Sequence, residues 1–189
     1  MTELRVTLCS GNRGKLDEVR AALPDWDVEL LDAHDYPPED DGTYVGNARI
    51  KAAYGRRVGA PDRWMLADDS GVELAALGGA PGVLTARWAD GRHVERGLEA
   101  LRGAADRSAR YVAELILLAP GGTELRGTGI LAGSIAEQPS GRAGFGFDPI
   151  FVPLGESVTV ADLGDEWKAS HSHRALAAQA LREAFDRLV

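Results

Sequence analysis

The sequence has a single cysteine, no long apolar run and no excess of basic residues. Cys9 has no partner for an internal disulfide, and its apolar surroundings predict a packed core residue rather than a nucleophile. No segment is long and apolar enough to cross a bilayer, and the N-terminus lacks the basic and apolar regions of a secretory signal, which favours a cytoplasmic protein. The formal net charge of -8 argues against a general nucleic-acid binder.

The chain is long and apolar enough for one domain with a substantial core, because it has 189 residues, of which 44% are hydrophobic. Short apolar segments alternate with amphipathic ones, which predicts a single α/β domain over residues 1–189 with a mixed sheet. Three glycines and a proline lie within residues 78–82 and predict a tight, irregular loop. The predicted strands cover residues 4–10, 28–31, 64–69, 72–76, 110–118 and 124–131, and the predicted helices cover 15–23, 44–58, 94–101 and the segment from 173 onward.

The most informative segment is residues 66–71, where Asp68 and Asp69 follow an apolar run and precede a Ser-Gly turn. Strand ends at the rim of an α/β sheet commonly bind ligands, and a carboxylate there can hold a divalent cation or accept a proton from water. Successive strand side chains face opposite sides, so the two aspartates are expected to have different tasks. The alternative interpretation is an acidic turn between strands.

The segment at residues 10–15, SGNRGK, joins a predicted strand to a predicted helix. Its glycines let backbone N–H groups approach an anion, and Lys15 adds a positive charge beside the helix N-terminus. The segment is not a Walker A loop, since its glycines are too close together and Leu16 stands where serine or threonine is required. An ordinary glycine-rich turn is the alternative.

Four further groups of residues carry candidate chemistry. Glu39 lies in an acidic segment, and Asn47 and Lys51 share one face of a predicted helix. In GFGFDP, at residues 144–149, glycines alternate with aromatic rings that can stack on a nucleobase, and an aspartate follows. Lys168 and the Ser-His-Arg segment at residues 172–174 offer donors near a helix start. The alternatives are a solvated loop, a surface pair and a core aromatic residue.

These motifs, in this order, resemble the inosine triphosphate pyrophosphatase family over nearly the whole chain, from about residue 6 to the last helix. The series is SGNxxK, an ENA-like helix with a lysine, ADDSG, LGGAPG, GFGFDP and SHR. The resemblance implies an elongated mixed sheet flanked by helices, with two lobes around a nucleotide cleft. It also implies a homodimer that hydrolyses ITP, dITP and XTP to the monophosphate and pyrophosphate with Mg²⁺, clearing these nucleotides from the pool.

Carried over position by position, the resemblance implies that Asp69 is the general base and that Asp69 and Glu39 bind Mg²⁺. The implied substrate contacts are Ser10, Gly11, Asn12, Arg13, Gly14 and Lys15 at the triphosphate, Lys51 near the phosphates, Ser70, and Phe145, Gly146, Phe147, Asp148, Lys168, His173 and Arg174 at the nucleoside end.

The chain departs from the family pattern at three places. Gly46 and Trp167 stand where the family usually has acidic residues, and the acidic loop has unusual spacing, so Asp41 is an alternative to Glu39 as metal ligand. Two other functions stay open: a Maf-like pyrophosphatase acting on dTTP or UTP, and a catalytically silent nucleotide-binding or sensing protein.

Overall fold

The computed structural model describes residues 4–188 and has α/β architecture built on a six-stranded sheet. The strands are β1 (Leu4–Leu8), β2 (Trp26–Leu30), β3 (Trp64–Leu74), β4 (Ser108–Leu118), β5 (Glu124–Ile135) and β6 (Phe151–Pro153). The helices are α1 (Arg13–Ala22), α2 (Tyr44–Val58), α3 (Thr85–Ala89), α4 (His93–Ala100), α5 (Val160–His171) and α6 (His173–Asp186), with short 3₁₀ turns at Ala75–Leu77 and Gly82–Leu84.

The sheet is mixed, with the strand order β2-β1-β3-β4-β5-β6. β1 pairs in parallel with β2 and with β3, whereas β5 and β6 are antiparallel. The predicted α/β class with a mixed sheet is therefore confirmed. Helix α2 has the predicted bounds and begins at Thr43, whose side chain accepts a hydrogen bond from the backbone N–H of Gly46.

The described chain forms two compact units. Unit 1 comprises Met1–Asp69, Ala113–Gly129 and Arg174–Val189, and unit 2 comprises Ser70–Val112 and Ile130–His173. The prediction of a single domain over 1–189, whose first three residues and last residue lie outside the described part, stays a prediction, as does the nucleotide cleft.

The described part of unit 1 contains two apolar clusters. In the larger one, residues of β1, β2 and β4 pack with Leu16 and Val19 of α1 and with Ala177 and Leu181 of α6. The smaller one includes Cys9, as predicted for a core cysteine, together with residues of α2. A Cβ at Gly127 of β5 would overlap the backbone oxygen of Ala177, so glycine is required where this strand meets α6.

Unit 2 has one apolar cluster, which contains Phe147, Phe151 and Tyr111 among its buried aromatic residues. The predicted irregular loop at residues 78–82 is confirmed: Gly78 and Gly79 have φ values of 62° and 93°, which favour glycine. Within residues 4–188, no helix has the length and apolar character that crossing a membrane demands.

The prediction of two strands at residues 64–69 and 72–76 is wrong. A single strand, β3, runs through Ser70 and Gly71 to Leu74. Asp68 and Asp69 therefore lie in the middle of a strand rather than at its end. Glycine and serine weaken strand propensity only modestly, and the pairing of β3 with its neighbours overrides that preference.

Candidate active site

The continuous path of β3 places Asp68 and Asp69 on opposite faces of the strand, as the alternation of side chains requires. Asp68 is 0% exposed and Asp69 is 4% exposed. A carboxylate can be buried at acceptable cost only when it is paired or hydrogen-bonded, so the partners on each face determine its state. The two aspartates have different partners, and the expectation that they have different tasks stays a prediction.

Asp69 belongs to a cluster with Lys51 and Glu39, all in unit 1. The Lys51 Nζ donates to Asp69 Oδ1 at 2.8 Å and to Glu39 Oε1 at 3.1 Å. The other oxygen of Asp69 accepts from the Asn47 amide at 3.3 Å. Asn47 and Lys51 are four residues apart on α2, so one helix face supplies both donors, as the sequence predicts.

Two carboxylates share one ammonium in this cluster, and their pKa values move apart. Burial raises the pKa of Asp69 to about 6, and the charge of Glu39 adds to the shift while Lys51 opposes it. Burial also acts to raise the pKa of Glu39, but the charge and hydrogen bond of Lys51 and a hydrogen bond with Asp69 lower it on balance. Asp69 is thus the member of the pair that accepts a proton near neutral pH.

The structure brings Glu39, and not Asp41, to Asp69. The carboxylate of Asp41 instead accepts hydrogen bonds from the backbone N–H and the hydroxyl of Thr43, at 2.8 and 2.6 Å, at the start of α2. A Cβ at Gly46 would overlap this carboxylate, so Asp41 occupies the space that a side chain at position 46 would need. The departure from the family pattern at Gly46 therefore has a steric explanation.

The cluster suits a hard divalent cation. Within residues 4–188, no group of three or more His, Cys, Asp or Glu side chains converges as a closed metal cage. Mg²⁺ seldom uses such a cage, because it commonly binds through one or two carboxylates together with water and substrate phosphates. The carboxyl pair of Asp69 and Glu39 fits that donor set.

The other face of β3 holds a different cluster. Asp68 forms a salt bridge with Lys15 and accepts a hydrogen bond from Arg174 Nε at 2.7 Å. Arg174 also pairs with Glu18 of α1. Burial would raise the pKa of Asp68, but Arg174 and Lys15 hold it well below its usual range. Asp68 is therefore a permanently charged anchor for two cations.

Residues 9–12 connect β1 to α1, and Arg13, Gly14 and Lys15 begin that helix, so the segment at 10–15 lies at the junction of strand and helix as predicted. Asn12 precedes the helix and accepts a hydrogen bond from the backbone N–H of Lys15 at 3.3 Å, and its own N–H donates to Ser10 Oγ at 3.1 Å. Gly11, Asn12 and Arg13 are exposed. An exposed turn at a helix N-terminus, with a lysine beside it, is suited to bind an anion.

Unit 2 gathers several of the residues predicted for the nucleoside end. The Lys168 Nζ donates to Asp148 Oδ2 at 2.6 Å and lies 4.8 Å from the centroid of the Phe145 ring. The backbone N–H of Phe145 donates to the same carboxylate oxygen at 2.8 Å. Phe145 is 40% exposed, so part of its ring is available to a ligand. Ser70 and Gly146 also lie in unit 2.

Phe147 differs from Phe145, since it is buried between Trp88 and His93 in the core of unit 2. Of the two predicted stacking aromatics, only Phe145 presents a ring at the surface.

Arg174 is buried too, and its guanidinium bonds Asp68 and Glu18. Its predicted role as a reader of the base stays a prediction. Trp167 packs its ring on His171 at 5.0 Å.

Two residues that bond predicted site residues were not themselves predicted from the sequence: Glu18, which pairs with Arg174, and Tyr111, which bonds Asp148. Glu18 lies one helical turn after Lys15, a spacing that places both side chains on one face of α1. Tyr111 lies within β4 and donates from its hydroxyl to Asp148 Oδ1 at 3.2 Å. The spacing on α1 was a usable signal for Glu18, whereas a tyrosine in an apolar strand is typical of core packing and gave none.

The fold and these clusters define an α/β protein in which a buried aspartate and a partly exposed glutamate share one lysine. Comparison with known proteins gives its family. Residues 6–184 match the model of the Ham1 family. The chain is 41% identical over 194 residues to a dITP/XTP pyrophosphatase from Thermus thermophilus, with 96% of this chain and 92% of the relative covered. It is 40% identical over 187 residues to a dITP/XTP pyrophosphatase from Deinococcus radiodurans, with 95% and 92% covered.

Among solved structures, the Ham1 protein of Staphylococcus aureus matches with a TM-score of 0.83 at 30% identity, covering 98% of this chain and 100% of that one. The chain belongs to the Ham1 family. The resemblance inferred from the order of its motifs is thereby confirmed.

Proposed function

We propose that this protein hydrolyses non-standard purine nucleoside triphosphates, namely ITP, dITP and XTP, to the monophosphate and pyrophosphate. The observation that carries the proposal is the cluster in which the buried Lys51 bonds the buried Asp69 and the partly exposed Glu39, in a chain whose relatives of similar length are named dITP/XTP pyrophosphatases.

Asp69 and Glu39 would hold Mg²⁺. When bound, the ion supplies positive charge to the phosphate oxygens and lowers the cost of charge that develops during the reaction. Lys51 contacts both carboxylates at 2.8 and 3.1 Å, so its ammonium is available at the same place to neutralise phosphate charge.

Asp69 would act as the general base. Water attacks the α-phosphorus and forms a new P–O bond, its proton passes to Asp69, and the bond to the bridging oxygen breaks to release pyrophosphate. A base works best when its pKa lies near the working pH, and the raised pKa of Asp69, about 6, meets that requirement.

The segment at residues 10–15, in which Gly11, Asn12 and Arg13 are exposed, would bind the triphosphate through its backbone N–H groups. Lys15 would contribute charge from one side of this segment, where Asp68 holds its ammonium in place. In unit 2, Phe145 would stack on the base, and Lys168 and His173 would offer hydrogen-bond donors to it.

Donors at the base would favour hypoxanthine and xanthine, which carry an acceptor oxygen at position 6, over adenine, which carries an amino group. A polar site built for one hydrogen-bonding pattern can reject the mismatched analogue by roughly 10⁴-fold, because its buried donors are left unpaired. Guanine also carries the 6-oxygen, so its rejection depends on contacts at position 2.

The test is the rate of pyrophosphate release by the purified protein with Mg²⁺, compared for ITP, XTP, dITP, ATP, GTP and dTTP. Fast release from ITP, dITP and XTP with little from ATP and GTP is expected. Activity mainly on dTTP would instead indicate a Maf-like pyrophosphatase. Tight binding of ITP without turnover would indicate a nucleotide sensor.

We further propose that the chain acts in the cytoplasm as a homodimer with a single catalytic domain, as the resemblance implies. Light scattering during size-exclusion chromatography measures the mass directly. A mass of one chain, where two are expected, would contradict the dimer.

A further inference from the structure

Tyr111 is buried in unit 2 and contacts two of the residues placed at the nucleoside end. Its hydroxyl donates to Asp148 Oδ1 at 3.2 Å. Its ring stacks on the imidazole of His173, with centroids 4.4 Å apart and an angle of 10° between the planes. Tyr111 is 7% exposed, so it offers little surface to a ligand itself.

The contacts around Asp148 show what the hydroxyl contributes. One carboxylate oxygen accepts from Lys168 and from the backbone N–H of Phe145, at 2.6 and 2.8 Å. Tyr111 binds the other oxygen and so limits rotation of the carboxylate about its last bond. Lys168 and the turn at Phe145 are both tied to this carboxylate, and its orientation determines theirs.

The ring of Tyr111 acts on His173 in a second way. It is held in turn by Phe151, whose ring centroid lies 4.3 Å away. A near-parallel stack fixes the plane of the imidazole and thereby the directions in which its two nitrogens point. Tyr111 thus orients both the imidazole of His173 and the carboxylate of Asp148. That carboxylate in turn bonds Lys168.

We propose that Tyr111 is a positioning residue for the nucleoside end of the substrate, acting through Asp148 and His173. The proposal rests on the function proposed above. Since neither residue would touch the reacting phosphorus, loss of their alignment should weaken binding of the base and leave the chemical step intact.

Kinetics of Tyr111→Phe test the hydroxyl. The variant keeps the ring and loses one hydrogen bond to a charged group, so the KM for ITP should rise about tenfold while kcat stays within about twofold. The ratio of kcat/KM for ITP to kcat/KM for ATP should fall as the KM for ITP rises. Val112→Ala is the matched control, because Val112 is the next buried residue of β4 and its side chain points to the opposite face.

Proton NMR of the imidazole signals tests the ring without using activity. The chain has 4 histidines, and the signals of His173 are assigned by their loss in His173→Gln. Stacking predicts an upfield ring-current shift for His173. Tyr111→Phe should keep this shift, and Tyr111→Leu should abolish it.

Unchanged KM in Tyr111→Phe, an equal rise in Val112→Ala, or a loss that falls on kcat would overturn the assignment. If the wild-type protein releases no pyrophosphate from ITP, the proposed function fails. The NMR comparison separately tests the stack of Tyr111 on His173, and a His173 signal that does not respond to Tyr111→Leu overturns the inference whether or not the protein hydrolyses ITP. The kinetic comparison uses Tyr111→Phe, which preserves the packing, and so does not depend on whether Tyr111→Leu folds.

Discussion

Each face of β3 carries one aspartate, and the two aspartates have different neighbours. On one face, Asp68 meets the two cations Lys15 and Arg174. On the other face, Asp69 shares the ammonium of Lys51 with a second carboxylate, Glu39. Both aspartates are buried, so desolvation acts to raise the pKa of each.

The difference between them therefore comes from the balance of neighbouring charge. Two cations overcome burial at Asp68 and keep its pKa low, whereas at Asp69 burial and Glu39 together outweigh Lys51 and raise the pKa. Adjacent carboxyl groups whose pKa values are pushed apart are suited to different roles. Asp68 anchors two positive side chains, and Asp69 can take up a proton.

The largest expected effect is on stability, from Asp68→Asn. The substitution leaves Lys15 and Arg174 buried with too little negative charge, and breaking a buried pair of this kind costs about 3–5 kcal/mol. Urea denaturation of the variant and the wild type measures the loss of unfolding free energy. A loss below about 1 kcal/mol would show that the cluster is not a structural anchor.

Asp62→Asn is the matched control for Asp68→Asn. Asp62 also pairs with an arginine, Arg5, at 2.5 Å, but their side chains are 61% and 55% exposed. Solvent screens such a pair, so the change in unfolding free energy should stay within about 1 kcal/mol.

The next effect is on catalysis, from Asp69→Asn. An amide cannot take the proton from water, so turnover should fall by about 10²-fold or more while substrate binding is largely retained. Steady-state release of pyrophosphate measures turnover, and calorimetry with ITP measures binding. Near-normal turnover would contradict the role of Asp69 as the base.

The identity of the second metal ligand is tested by Glu39→Gln against Asp41→Asn. Glu39 shares Lys51 with Asp69, whereas Asp41 bonds Thr43 at the start of α2. The Mg²⁺ concentration for half-maximal activity should rise about tenfold or more in Glu39→Gln. It should change little in Asp41→Asn, and the reverse result would assign the ligand to Asp41.

Much of the fold could be predicted from local pattern. Helix α2 has a threonine cap and a long amphipathic run, and its predicted bounds agree with the structure. The strand β3 could not be predicted in full, because Ser70 and Gly71 are typical turn residues and only pairing with neighbouring strands keeps them extended.

The site could be predicted in its residue types more than in its contacts. Strand alternation was enough to separate Asp68 from Asp69. The partner of Asp69 was ambiguous, because the spacing of the acidic loop allows either Glu39 or Asp41 to reach it. Which of the two carboxylates lies near Asp69 depends on the path of that loop. In the structure Asp41 accepts a hydrogen bond from Thr43, and Glu39 accepts one from Lys51.

The smallest expected effect is a pH dependence of stability that differs between the two aspartates. The folded-state pKa of Asp69 is raised to about 6 from an ordinary 3.8, so the folded protein binds this proton more tightly than the unfolded chain. In metal-free buffer, lowering the pH from 7 to 5 should stabilise the wild type relative to Asp69→Asn by about 1 kcal/mol. The shift at Asp68 has the opposite sign, so its contribution is fully present above its ordinary pKa and is lost only as the pH falls below about 4. Urea denaturation at pH 7, 6 and 5 measures the unfolding free energy of the wild type and of the two variants. The difference between the wild type and Asp69→Asn should change with pH, and the difference between the wild type and Asp68→Asn should stay constant. Parallel curves for all three would mean that the two faces of β3 do not hold their carboxylates in different states.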